Sequence, residues 1–280
     1  MTPQRIALIG CGKMGEAILS GWLDSNVAPA DAIDASSFVV VSPRQEHRDQ
    51  LASAYGVDVA ADVPSALASA DAPVDMIVLA VKPQVMDGVL EEVREACGSD
   101  VPLVVTIAAG IPTAKYEAAL GEGAHVVRVM PNMPLQVGKG ATVVAGGSQA
   151  TEEEVALVNA LFSALGESHV VPESQIDAVG AISGSGPAYV AYMVEALRDA
   201  GVEAGLDAAL AESLALETVG GTYAAMKAQG CSPEEMRISV CSPKGTTLAA
   251  LAAMDDAGFK PMFKAGVDAA IRRSEELGGK

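Results

Sequence analysis

The sequence predicts a doubly wound α/β sheet followed by an all-α domain. Three observations lead there. In the first part of the chain, short apolar runs alternate with stretches of helical spacing. A glycine pattern, Gly10-Cys11-Gly12-Lys13-Met14-Gly15, sits between the first such run and the first helical stretch. Beyond Pro172 the strand-like runs stop, and the chain becomes rich in Ala, Leu, Glu and Met with helical spacing. Short buried runs separated by helices mark a parallel sheet covered on both faces. The division is placed at Pro172, giving domains 1–172 and 173–280.

Taken in order, Ile6 to Ile9 reads as a buried strand and Met14 to Leu23 as a helix. Phe38 to Val41 is the second strand, and Arg44 to Tyr55 a helix stopped by Gly56. Val57 to Val59, Met76 to Val81 and Leu103 to Ile107 read as the third, fourth and fifth strands, with a helix over Gln84 to Ala96. His125 to Met130, Ala141 to Ala145 and Ser168 to Val171 complete the strands. Thr151, followed by Glu154, has the spacing of a capping box and opens a helix. In the second part, helices are predicted over Pro187 to Ala204, Leu206 to Gln229, Pro233 to Arg237, Thr247 to Met254 and Phe259 to Leu277, with Pro187 suited to a first turn.

Composition excludes several classes. The chain has 280 residues and a formal net charge of −18, which disfavours nucleic acid and anionic membrane as partners. No apolar run approaches the length of a membrane span, and the N-terminal run enters a glycine loop without a basic leader, so a cytoplasmic location is expected. Cys11, Cys97, Cys231 and Cys241 lack paired spacing and read as reduced thiols. His47, His125 and His169 are scattered singly, so no metal site is expected.

The glycine pattern follows a strand and opens a helix, the context a dinucleotide site needs. Gly10 permits a tight turn, Gly12 lets backbone approach a pyrophosphate, and Gly15 lets helix and strand pack closely. Phosphate then meets free N–H groups at a helix N-terminus, with Lys13 and Met14 in its first turn. NAD-selective sites carry an acid at the end of the second strand; here Val41 is followed by Ser42-Pro43-Arg44, while Asp31 and Asp34 precede the strand. Ser42 can donate to a 2′-phosphate and Arg44 can supply charge, so NADPH is expected, with NADH at lower preference. Ala80-Val81-Lys82-Pro83 and the segment containing Ala108 follow the fourth and fifth strands, at the sheet edge where ligands bind. Lys82 has two readings, a cofactor contact or a solvated loop residue.

Taken together, the glycine pattern with Val81-Lys-Pro-Gln84, Arg128-Val-Met-Pro-Asn132, Ser183-Gly-Ser-Gly-Pro-Ala-Tyr189 and Ser242-Pro-Lys-Gly-Thr-Thr247 resembles the pyrroline-5-carboxylate reductases over nearly the whole chain. The resemblance implies a Rossmann domain, then a helical domain that interlocks subunits into a homodimer, with further assembly such as a decamer in many members. It implies NAD(P)H-dependent reduction of L-1-pyrroline-5-carboxylate to L-proline by hydride transfer to a cyclic imine, the last step of proline biosynthesis. It assigns the substrate carboxylate to backbone at Gly245, Thr246 and Thr247, makes Thr247 the catalytic side chain through its hydroxyl, and places Ser185 at the site. From the residues alone, the favoured reading makes Thr246 and Thr247 ordinary helix N-cap residues. Gly184 and Gly186 are expected to admit approaches that a Cβ would block. In two places the chain departs from the family pattern: Lys244 stands where a glycine is usual, and Ala61-Asp62-Val63-Pro64 lacks an asparagine that contacts the adenosine side in many relatives. Rival readings are a reductase for another cyclic imine, a β-hydroxyacid dehydrogenase using Lys227, and a non-catalytic dinucleotide sensor.

Overall fold

A computed structural model describes residues 3–24, 33–68 and 73–277; Asp31 lies outside them. Two compact units are present, one of Met1–Ser185 with Ala270–Lys280 and one of Gly186–Ala269.

In the first unit, β1 (Ile6–Ile9), α1 (Lys13–Leu23), β2 (Phe38–Val41), α2 (Gln45–Tyr55), β3 (Asp58–Ala60) and the short α3 (Val63–Leu67) follow in chain order. Next come β4 (Met76–Leu79), α4 (Met86–Cys97), β5 (Leu103–Thr106), α5 (Thr113–Leu120), β6 (Val126–Met130), β7 (Gly140–Gly146), α6 (Glu152–Ser163), β8 (Gly166–Val170) and α7 (Ile176–Val179). The eight strands form one sheet in the order β3-β2-β1-β4-β5-β6-β7-β8. The first six strands run parallel, in the doubly wound order whose crossover lies between β1 and β4.

Both faces of the sheet are covered, because alternate residues of each strand enter different cores. Ile6 and Leu8 pack with Trp22, Phe38 and Phe162 on one face. Ala7 and Ile9 pack with Ile77, Leu79, Leu90 and Tyr116 on the other. Trp22 anchors the first core, with its ring edge-on to Phe162 at 5.3 Å and its indole N–H donating to the Leu161 carbonyl at 2.9 Å.

One strand differs from the parallel expectation: β7 pairs antiparallel to β6. The connection through residues 131–139 contains only a five-residue 3₁₀ segment, Met133–Val137, too short for the crossover a parallel neighbour needs. The α6 crossover then returns β8 parallel to β7. Two helices, α3 and α5, form where the sequence reading gives no element. Pro112 cannot cap α5 with a side-chain oxygen, and Glu173 does so from across the fold, accepting from the Thr113 N–H and hydroxyl at 2.7 Å each. The capping box of α6 forms as read, with Thr151 accepting from the Glu154 N–H.

The second unit contains α8 (Gly186–Glu203), α9 (Ala208–Gln229), α10 (Pro233–Ser239), α11 (Thr246–Asp256) and the greater part of α12 (Phe259–Leu277), whose end from Ala270 belongs to the first unit. The helices α8 and α9 approach closely through small residues, with Ala211 lying where a Cβ on Gly201 would reach. Only Ala211 and Ala215 are buried in α9, while Leu210, Leu214, Leu216 and Tyr223 are exposed. A helical unit so apolar and so little buried is incomplete as a single chain. Among the described residues no helix is long and apolar enough to cross a membrane.

Candidate active site

The strand β1 ends at a turn that only glycine fits. Gly10 has φ +84°, and a Cβ on it would lie 2.6 Å from Val81 Cγ1. At Gly15 a Cβ would lie 2.7 Å from the Gly10 carbonyl oxygen, so α1 could not approach the sheet edge. Gly12 differs: it is the N-cap of α1, its backbone is extended, and a Cβ there would meet nothing within 4 Å. The space above Gly12 is open, and no side chain caps α1, so the first N–H groups of the helix remain for an anion.

A cleft of about 610 Å³ lies over this point, within the first unit. Of the residues singled out in the sequence, it brings together Gly12, Lys13, Met14, Ala80, Val81, Lys82, Pro83, Ala108 and Ser185. Gly10 and Gly15 lie beneath its wall rather than on it. Lys13, Lys82 and Arg273 put three cationic side chains on the lining, a local answer to the net charge of −18. The far wall comes from residues 177–185, together with Arg273 and Ser274 of α12. The Ser274 hydroxyl donates to Asp177 Oδ1 at 3.1 Å. Asp177, Arg273 and Ser274 were not read as site residues, because nothing in their local sequence signals that they meet the glycine turn.

Ser42 is placed at the end of β2, outside the lining of the main cleft. Its side chain is buried, and its hydroxyl is hydrogen-bonded to His47 Nδ1 at 2.9 Å. Arg48 donates from Nη1 to the Ser42 carbonyl at 2.7 Å. Arg44 is exposed at the N-cap of α2. His47 and Arg48 therefore join Ser42 and Arg44, although only the latter two were read from the sequence. The signal for the others was their place in the first turns of the helix that follows. Asp62 accepts from the Ser65 N–H and caps α3, a structural use for the acid in that segment.

Cys11 lies inside the glycine turn, buried, and its thiol is pushed up to about 12 by burial and by the nearby Glu16 carboxylate. At neutral pH it is a protonated, unreactive packing group.

The loop before α11 belongs to the second unit. Ser242 to Gly245 forms a tight turn, with the Gly245 N–H donating to the Ser242 carbonyl at 2.9 Å. Lys244 has φ +59°, the only positive value at a non-glycine among the described residues. Left-handed backbone is the conformation glycine adopts most readily, a physical reason for the glycine that the resemblance leads one to expect here. Gly245 itself is the N-cap of α11, and no side chain caps the helix. Thr246 and Thr247 are thus in the first turn rather than at the cap, which corrects the N-cap reading. The expected crowding at Gly184 and Gly186 is also corrected. Within the chain, a Cβ on Gly186 meets nothing within 4 Å and one on Gly184 makes an ordinary contact 3.6 Å from Met130 Sδ. The crowded position in this stretch is Gly180, where a Cβ would lie 3.2 Å from Met130 Cε. Gly180 opens the π-wound segment of residues 180–184.

A doubly wound sheet with a cationic cleft over a glycine turn defines a dinucleotide-dependent oxidoreductase. Comparison with known proteins narrows the class. Residues 5–110 match the family model for NADP oxidoreductase, coenzyme F420-dependent, and residues 173–277 match that for pyrroline-5-carboxylate reductase dimerisation. The chain is similar to the pyrroline-5-carboxylate reductase of Synechocystis sp., with 40% identity over 99% of each chain. It is similar to that of Methanosarcina acetivorans with 38% identity over the whole of both. Among solved structures, the pyrroline-5-carboxylate reductase of Coxiella burnetii matches with 31% identity and a TM-score of 0.87 over 99% of each chain. A Plasmodium falciparum pyrroline carboxylate reductase with NADP bound matches at 27% identity and a TM-score of 0.84 over 98% of each. The chain belongs to the pyrroline-5-carboxylate reductase family.

Proposed function

We propose that this protein catalyses NADPH-dependent reduction of L-1-pyrroline-5-carboxylate to L-proline. The observation that carries the reading is the cleft over Gly12, with open space where a Cβ would stand, in a chain that matches this family along its whole length. The residues suit a dinucleotide. Gly12, Lys13 and Met14 would hold the pyrophosphate at the start of α1, and Ala80 to Pro83 with Ala108 would line the route toward the nicotinamide. Ser42 and Arg44, with His47 and Arg48 beside them, would receive the 2′-phosphate, and NADH would serve with lower preference. When bound, the dihydronicotinamide supplies a hydride.

The chain's own task is then to bind, orient and exclude water. The substrate is a cyclic imine carrying a carboxylate. Its nitrogen gains a proton, making an iminium, and the hydride adds to the imine carbon to leave the secondary amine of proline. The uncapped N–H groups at Thr246 and Thr247 suit the carboxylate, while the Gly245 N–H assigned with them already donates to the Ser242 carbonyl. The Thr247 hydroxyl is assigned to the ring nitrogen, and Ser185 to the substrate side of the cleft. Holding two rings face to face in a dry site accounts for much of such a reaction, so no strong nucleophile is required.

The domain division is placed at Pro172, with residues 173–280 forming the assembly and substrate domain. The exposed apolar side chains of α9 support a homodimer through that domain, with a larger assembly such as a decamer built from dimers. The location is taken as cytoplasmic, without nucleic acid or membrane partners. The test follows loss of dihydronicotinamide absorbance with pyrroline-5-carboxylate, with a 3-hydroxyacid couple, and with neither. Turnover only with the imine supports the proposal; turnover only with the hydroxyacid couple, or none with either, refutes it.

A further inference from the structure

Residues 128, 130 and 132 alternate along β6 and its extended continuation, so they share one face of the sheet. Val127 and Val129 enter the core on the opposite face. Each of the three reaches the segment 173–185. Arg128, only 2% exposed, donates to Glu173 at 3.4 Å and to Asp177 at 3.1 Å. Met130 lies against Gly180. Asn132, also buried, donates from Nδ2 to the Ser183 carbonyl at 3.0 Å and accepts from the Ala141 N–H at 2.9 Å.

The segment they hold is the irregular wall of the cleft. Residues 180–184 are π-wound, with the Ser185 N–H on the Gly180 carbonyl at 2.9 Å, and Gly180, Ala181, Gly184 and Ser185 line the cleft. Single π turns are rare overall and frequent at functional sites. In a continuing α-helix the Ser183 carbonyl would accept from the N–H of residue 187. That residue is Pro187, which has none. The Asn132 side chain supplies the donor that the proline lacks.

We propose that Arg128, Met130 and Asn132 form a positioning rail that fixes the π-wound wall, with Asn132 substituting for the missing Pro187 N–H. The rail's consequence for turnover rests on the proposed function, since this wall would bound the nicotinamide end of the cleft. Asn132 is accordingly a positioning residue, acting through Ser183 and Ser185.

The test removes the donor alone. Asn132→Asp, assayed where the carboxylate is ionised, keeps an acceptor for the Ala141 N–H but no longer donates to Ser183, and Asn132→Ala serves if the buried carboxyl stays protonated or prevents folding. Hydrogen exchange on the cofactor-free protein should show the Ser185 amide opening about tenfold faster. Adding Pro187→Ala restores an N–H at position 187, and exchange should return to within about threefold of the parent. In turnover, kcat should fall about tenfold while the NADPH dissociation constant moves less than about threefold. Unchanged exchange in the single variant, further loss in the double variant, or unchanged kcat despite an opened wall would each overturn the assignment. The exchange arm needs no turnover. A parent protein that failed to reduce pyrroline-5-carboxylate while the exchange results held would therefore refute the reaction and support the rail.

Discussion

Gly12→Ala should separate cofactor binding from folding. The Gly12 backbone, with φ −77° and ψ −171°, is open to alanine, and an added Cβ meets nothing within 4 Å. Replacing glycine where alanine fits restricts the unfolded chain by about 0.4–1 kcal/mol, and the poorer N-cap offsets a similar amount, so stability should move by less than about 1 kcal/mol. The same methyl would occupy the space assigned to the pyrophosphate. A loss of at least about 1.4 kcal/mol in binding, tenfold in dissociation constant, is expected. Gly10→Ala should behave in the opposite order. Its Cβ would strike Val81 Cγ1 at 2.6 Å from a backbone with φ +84°, so the fold itself suffers. Left-handed backbone costs about 1–2 kcal/mol and overpacking about 1–3 kcal/mol more. Chemical denaturation measures stability, and quenching or enhancement of NADPH fluorescence measures binding. Gly12→Ala binding NADPH as tightly as the parent would refute the placement of the pyrophosphate.

Other outcomes follow from the same geometry. Ser42→Asp combined with Arg44→Ala should raise KM for NADPH far more than for NADH in steady-state kinetics; equal losses would remove the 2′-phosphate from this corner. Thr247→Ala should lower kcat/KM by about 1–3 kcal/mol if its hydroxyl meets the reacting ring, and unchanged kinetics would exclude Thr247. Since burial raises the Cys11 thiol to about 12, it holds almost no thiolate at neutral pH. Mass spectrometry after brief iodoacetamide treatment of the folded protein should find Cys11 unmodified, and rapid labelling there would contradict the buried turn.

The sheet was readable because its strands are short and β-branched, as in Phe38-Val-Val-Val41, and because helices separate them. The direction of β7 was not, since Ala141 to Ala145 reads the same either way and the short 131–139 connection decides it. The helix α5 escaped because its N-terminal cap, Glu173, is remote in sequence. The π-wound residues 180–184 meet Met130 and Asn132, which are remote in sequence, so no local pattern reveals the winding. At the candidate site the glycine turn was legible from spacing alone. The roles proposed for Gly245 to Thr247 came from resemblance, because two threonines at a helix start look like ordinary caps. Lys244 stood out as a departure, and its φ of +59° gives the reason.

Deuterium transfer tests the central claim most directly. The protein would be supplied with pyrroline-5-carboxylate and NADPH carrying deuterium at the transferable C4 position, and the proline formed would be examined by NMR. One deuteron on the former imine carbon for each NADPH oxidised is the predicted result. Proline without that deuteron, or NADPH oxidised without proline, would contradict it.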